Sequence, residues 1–381
     1  MKILLVGEYY SENLGDPLLC QTVEKVIKEN YPNAEILPFD MNGKISVDVY
    51  YKPKTNPVLE SFMKYLCNHY LYYRRAAICR LYIKDKGRCQ RVWYRLGELL
   101  HNNKFDLVIF AGGSIFMDYF AGIIYLILAR LALTRVKILF HACGMSTLNA
   151  DGEYLLRRAL RSKKIVSISL RDSYERFTQL FPVNAEVQET FDTALCCSRY
   201  FAPSDERRTQ LGIGMIDRCY DQQMMLIRAL LTSNHNWKAF TNGSPYDQAY
   251  AERLLSNAGI PTEKIGEYLL DRPETTEELV KSITRFQKII SFRMHSQIVA
   301  ASFGIASFGY AWDEKVVTLY EKLGFPQGCA QKTLNLNQAE KGLLQYGEEI
   351  HLHALKQGDK SCECLISAIQ NVMKDKKVRK D

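Results

Sequence analysis

Short runs of Val, Ile, Leu and Phe alternate with stretches of helical periodicity along most of the chain. Such runs, bounded by turn residues, predict buried strands, and their alternation with helices predicts a parallel α/β sheet. Strands are expected at residues 2–6, 34–39, 106–111, 136–141 and 164–170. A helix over residues 16–29 opens with Asp16 as cap and Pro17 in its first turn. The apolar run 119–133 carries Arg130 and is too short to span a bilayer, so it predicts a buried helix. Asp172 is expected to open another helix, with Glu175 three residues on as in a capping box.

The pattern then restarts. Strands are expected at residues 211–216, 237–241, 288–292 and 305–310. Helices are expected at 221–231, from Thr275, at 296–303 closed by Gly304, and from Asp313 to Gly324. Ala202-Pro203-Ser204-Asp205 separates the two series. A length of 381 residues suits two domains. The expected architecture is two doubly wound Rossmann-like domains, residues 1–200 and 201–381, facing a cleft.

Charge changes this picture in one place. The formal net charge is +8, and residues 69–104 hold nine Lys/Arg against Asp85 and Glu98, with Trp93, Tyr94 and four other tyrosines interleaved. A basic-aromatic helical insert, residues 60–104, fits an anionic membrane surface or a solvated face over the core. The overall excess suits anionic small molecules and is too small to argue for nucleic acid. The apolar run after Lys2 stops at Gly7-Glu8, shorter than a secretory leader needs, so a cytoplasmic location is expected, peripheral at the inner membrane face if the insert binds lipid. Eleven cysteines without paired CxxC motifs predict reduced thiols and no metal site.

The chemistry concentrates at strand-to-helix junctions, where open α/β sheets bind ligands. Arg293-Met294-His295 stands at one and Lys315 at the next, each beside a helix N-terminus that favours anions. Arg171 marks a third strand end. Asn13-Leu14-Gly15-Asp16 and Ala111-Gly112-Gly113-Ser114 are loops that expose backbone N–H groups. His141 fits either a ligand-facing or a satisfied core position, and Asp192 fits a loop cap better than a base.

Together with Leu170-Arg171-Asp172-Ser173, Phe191-Asp192-Thr193-Ala194-Leu195 and Tyr310-Ala311-Trp312-Asp313-Glu314-Lys315-Val316, these motifs resemble the polysaccharide pyruvyl transferase family over residues 1–325. Met294 replaces the family's usual Leu, Ser114 a frequent third Gly, and Glu12 a Gly before the Asn. The resemblance implies a GT-B-like fold. It also implies transfer of pyruvate from phosphoenolpyruvate to two hydroxyls of a sugar, giving a ketal and phosphate. On that basis His295 is the expected general acid, and Arg171, Arg293, Met294 and Lys315 are the expected donor contacts. Asn13, Gly15, Asp16, Gly112, Gly113 and Ser114 are expected on the opposite wall, with the acceptor.

The first domain would then be the acceptor side. The second, with a C-terminal helix and charged tail, would be the phosphoenolpyruvate side. The expected partners are phosphoenolpyruvate and a sugar or lipid-linked glycan of a cell-surface or exopolysaccharide precursor, with an anionic membrane surface as a further candidate and no cofactor. Two rivals are a GT-B glycosyltransferase using a nucleotide-sugar and a non-catalytic glycan-assembly protein. Glu314 and Glu321 lack the spacing common in the former. Retention of Arg171, Arg293, His295 and Lys315 together argues against the latter.

Overall fold

The computed structural model describes residues 1–53, 61, 65, 77–206, 208 and 210–378. The chain forms two compact units: Met1–Ser11, Val23–Thr190 and Glu363–Asp381 make the first, Glu12–Thr22 and Phe191–Cys362 the second. The division therefore falls at Thr190/Phe191 and not near residue 200, and residues 12–22 belong with the C-terminal half.

The first unit opens with β1 (Lys2–Gly7) and contains the later turns of α1 (Gly15–Asn30). Next come β2 (Glu35–Asp40), a hairpin of β3 (Lys44–Ser46) and β4 (Val49–Tyr50), α2 (Ala77–Lys84) and α3 (Lys86–Asn102). It continues through β5 (Leu107–Phe116), α4 (Asp118–Leu131), β6 (Lys137–Met145), α5 (Ala150–Ala159), β7 (Ile165–Leu170), α6 (Tyr174–Leu180) and β8 (Glu186–Glu189). Its six-stranded sheet has the order β2-β1-β5-β6-β7-β8, and every pairing is parallel. Central strands read as continuous apolar runs because both faces are covered. The stacked rings of Phe110 and Phe140, 4.2 Å between centroids, tie β5 to β6. The apolar helix α4 is buried along most of its length, and no helix among the described residues is long and apolar enough to cross a membrane.

The described part of the basic insert folds as α2 and α3. Arg80 pairs with Asp151, Arg88 lies buried over the Tyr119 ring, Arg91 covers Tyr50, and Arg95 pairs with Glu98. These four cations thus have partners within the unit. Arg74, Arg75, Tyr70, Tyr72 and Tyr73 lie outside the described residues.

The second unit repeats the plan. It contains β9 (Leu211–Gly214), α7 (Tyr220–Leu231), β10 (Trp237–Phe240), α8 (Pro245–Asn257), α9 (Ile265–Tyr268) and α10 (Thr276–Thr284). Then come β11 (Lys288–Ser291), α11 (Met294–Ser302), β12 (Ala306–Tyr310), α12 (Glu314–Lys322), β13 (Cys329–Ala330), α13 (Leu336–Gln345) and the first half of α14 (Glu348–Val378), whose second half, from Glu363, belongs to the first unit and not, as expected, to the second. The all-parallel sheet has the order β10-β9-β11-β12-β13. Thr275 and Glu278 cap α10 reciprocally, and Asp313 caps α12 by accepting from Lys315 N.

Three local expectations are corrected. Asp172 does not cap α6; its carboxylate accepts from Met145 N and faces Arg171, and Ser173 takes the left-handed N-cap position. Helix α11 begins at Met294, two residues early, which puts His295 inside its first turn. Residues 374–378 continue α14, while residues 379–381 of the expected tail lie outside the described residues.

Candidate active site

In both sheets the chain builds outward from the first strand to one side and then to the other. The switch points lie between β1 and β5 in the first unit and between β9 and β11 in the second. Open sheets of this kind bind ligands beyond the carboxyl ends of the strands at that point.

In the second unit the turn after β11 carries Arg293 and His295. Arg293 is the N-cap of α11, and its backbone N–H donates to Ser291 Oγ at 3.0 Å. Its guanidinium pairs with Asp247, a fully buried carboxylate in the first turn of α8. Asp247 also accepts from Asp217 N at 3.0 Å, so one carboxylate ties the loop after β9 to the turn after β11. Burial pushes the Asp247 carboxyl up, against the opposing pull of Arg293 and of the Asp217 amide. Arg293 Nε is buried and makes no hydrogen bond among the described residues, so it remains available as a donor. Asp247 was not foreseen from sequence. The turn signal Asn242-Gly243-Ser244-Pro245 ahead of it marks a helix start, but not which acid would face Arg293.

His295 and Met294 are buried in the first turn of α11. At the end of β12, Trp312 Nε1 donates to Phe292 O at 2.6 Å. Lys315 pairs with Asp313 at 3.2 Å, and its ammonium lies 5.1 Å from the centre of the Trp312 ring. Arg293, Met294, His295 and Lys315 therefore occupy two adjacent strand ends of one sheet.

The loop Asn13-Leu14-Gly15-Asp16 joins this same unit. Leu14 and Leu18, one helical turn apart, are buried in a core with Phe240, Phe286, Ile289 and Val299. Burying a leucine contributes about 1.5–3 kcal/mol, enough to fix where a short segment docks. Leu14 N donates to Asn242 O at 2.8 Å, and Asn13 Nδ2 donates to Asp16 Oδ2 at 2.9 Å. A β-carbon on Gly15 would run into the ring of His295, so the close approach of backbone to imidazole requires glycine.

The six residues predicted on one wall are thereby parted. Asn13, Gly15 and Asp16 lie with His295, whereas Gly112, Gly113 and Ser114 belong to the first unit. There, β5 runs straight through the glycine pair with φ of 72° and 79°. Ser114 Oγ accepts from Arg171 Nη2 at 3.2 Å, and Arg171 Nε faces Asp172 Oδ2 at 3.4 Å. Arg171 is buried, not a surface salt-bridge residue. His141, next to Ala142 with φ of 50°, meets Ser169 Oγ at 3.1 Å and is buried. Asp192 caps the turn after it by accepting from Ala194 N at 2.9 Å.

Two Rossmann-like units of this topology define a GT-B-like protein, and solved structures share the fold. A Listeria monocytogenes protein assigned as a UDP-N-acetylglucosamine 2-epimerase matches with TM-score 0.61 at 11% identity, covering 98% of this chain and 97% of its own. The S. aureus MnaA structure with UDP matches at 0.57 and 11%, covering 98% and 97%. The UDP-GlcNAc 2-epimerase of Methanocaldococcus jannaschii matches at 0.55 and 9%, covering 96% and 99%. At such identities the likeness is one of fold. No curated protein matches the chain by sequence comparison. Residues 13–314 match the family model for polysaccharide pyruvyl transferase, a span that begins at Asn13 and takes in Arg293 and His295. The chain belongs to the polysaccharide pyruvyl transferase family.

Proposed function

We propose that the protein transfers pyruvate from phosphoenolpyruvate onto two hydroxyls of a sugar in a cell-surface or exopolysaccharide precursor. The observation that carries this reading is Arg293, held by Asp247, beside His295 in the first turn of α11. His295 donates a proton to the methylene carbon of the donor. One sugar hydroxyl, losing its proton, adds to the adjacent carbon. The second hydroxyl then displaces phosphate from that carbon, its proton leaving with the phosphate or to solvent, and the ketal closes. Arg293, Lys315 and the N–H groups of the first turn of α11 balance the charge of the departing phosphate. Arg171 is a further donor contact, and Gly112, Gly113 and Ser114 are read as acceptor contacts. The loop 13–16, packed on His295, keeps water from the acid and meets the substrate beside it.

Thermal unfolding with phosphoenolpyruvate and with a panel of nucleotide-sugars tests this reading. A ligand at about 100 times its dissociation constant adds roughly 2.7 kcal/mol, a shift of several degrees. A shift with phosphoenolpyruvate that Arg293→Ala abolishes, followed by phosphate release with a sugar diol, supports it. A shift with a nucleotide-sugar alone replaces it by glycosyl transfer.

A further inference from the structure

The loop between β9 and α7, residues 215–219, is fixed along its length. Gln223, buried in α7, accepts from Ile216 N at 3.3 Å and donates to Ile216 O at 2.8 Å and to Arg218 O. Asp217 N is held by Asp247 at 3.0 Å. Cys219, which is not glycine, takes a φ of 60°. Such a conformation persists only where the surroundings impose it, and it clusters at ligand sites. What the loop presents is Arg218, whose guanidinium lies 4.6 Å from the centre of the Trp312 ring. Trp312 is itself anchored to the residue before Arg293 and also carries Lys315.

The cations at this sheet end differ in how firmly a carboxylate holds them. Arg293 is committed to buried Asp247. Among the described residues the one carboxylate paired with Arg218 is its neighbour Asp217, at 3.6 Å with both side chains well exposed, a pair that contributes little. It is parked on an aromatic face with its N–H fork available. We infer that Arg218, on its Trp312 platform, binds the carboxylate of the donor, while Arg293 and the first turn of α11 take the phosphate. A guanidinium fork matches the two oxygens of a carboxylate, and a helix N-terminus suits phosphate. This assignment rests on the proposed donor.

Calorimetric titration of the full chain with phosphoenolpyruvate and, separately, inorganic phosphate tests it. Arg218→Ala is expected to weaken phosphoenolpyruvate by about tenfold or more, the worth of a charge-assisted pair, and to leave phosphate binding unchanged. Thermal unfolding of the variant without ligand should match wild type, since Arg218 is half exposed. Wild-type affinity for phosphoenolpyruvate in Arg218→Ala overturns the inference. Equal weakening of both ligands overturns the carboxylate assignment. Failure of the wild type to bind phosphoenolpyruvate, with or without sugar diols, overturns the proposed function and this inference with it.

Discussion

The two sheets share one strand order around the switch point, yet their carboxyl ends are built from different materials. At the end of the second sheet the distinction is in side-chain charge: Arg218, Arg293 and Lys315 stand beside Asp217, Asp247 and Asp313. At the end of the first sheet it is in backbone shape. Gly112, Gly113, Ala142 and Ser173 all take positive φ, and Arg171 is buried against Asp172 and Ser114. A common topology supplies a place for ligands, and the residues at the strand ends decide the chemistry.

The sharpest test of that contrast compares the two histidines. His295 sits in a helix first turn beside Arg293, whereas His141 is buried on Ser169. Loss of a general acid costs about 10²–10⁴ in rate. His295→Ala should therefore lower kcat by that order with little change in phosphoenolpyruvate binding, while His141→Ala should change stability more than kcat. Phosphate-release kinetics on both variants decide the matter. An equal loss of kcat in the two would erase the distinction.

Asp247 comes next. Asp247→Asn leaves Arg293 without its charge partner, and breaking a buried pair costs about 3–5 kcal/mol. Arg293 keeps some access to water, so the low end of that range is expected, with weaker donor binding. The pH dependence has a definite sign. Asp247 has a folded pKa raised above its unfolded value, because burial outweighs the pull of Arg293. Its proton-linked contribution is fully present below the ordinary aspartate value and is lost as pH rises through the raised one. Asparagine does not titrate there. The stability advantage of wild type over the variant should widen as pH falls from neutrality to about 4, measured by denaturant unfolding. A constant difference would remove Asp247 as the titrating group.

Gly15→Ala probes the join between loop and acid. The methyl group collides with His295, and overpacking of this kind typically costs about 1–3 kcal/mol. Catalysis should suffer more than stability, since the loop can shift outward. Steady-state kinetics beside thermal unfolding would show it, and unchanged kcat would mean that the loop does not shape the site.

This join also shows where sequence reasoning stops. The strand-end positions of Arg293, His295 and Lys315 were legible because strand, turn and helix are local signals, and the helix starts at Asp313 and Thr275 formed as expected, the latter with a Thr275–Glu278 box that had not been foreseen. The docking of residues 12–22 was not legible. Leu14 and Leu18 form an ordinary helical stripe, and nothing local says which of two similar cores will bury them. Asp172 has the spacing of a cap but is drawn off by Met145 N and Arg171. Asp247 and Arg218 acquire meaning only when β9, β11 and α8 are brought together.

The smallest expected effect concerns the backbone of the first sheet. Between Phe140 and Cys143, β6 holds one more residue than β7 opposite, a bulge that contains His141 and Ala142. The Ala142 amide, displaced from the ladder, donates to Ser169 Oγ at 2.9 Å. Positive φ costs a non-glycine residue about 1–2 kcal/mol, while glycine adds back about 0.5–1 kcal/mol of unfolded-state entropy. Ala142→Gly should thus be neutral to stabilising by about 1 kcal/mol, against the usual penalty of glycine in a strand. Denaturant midpoints at constant slope would measure it. Clear destabilisation would mean that the Ala142 methyl packs for more than its conformation costs, and that the bulge is held by its core contacts and not by the Ser169 hydroxyl.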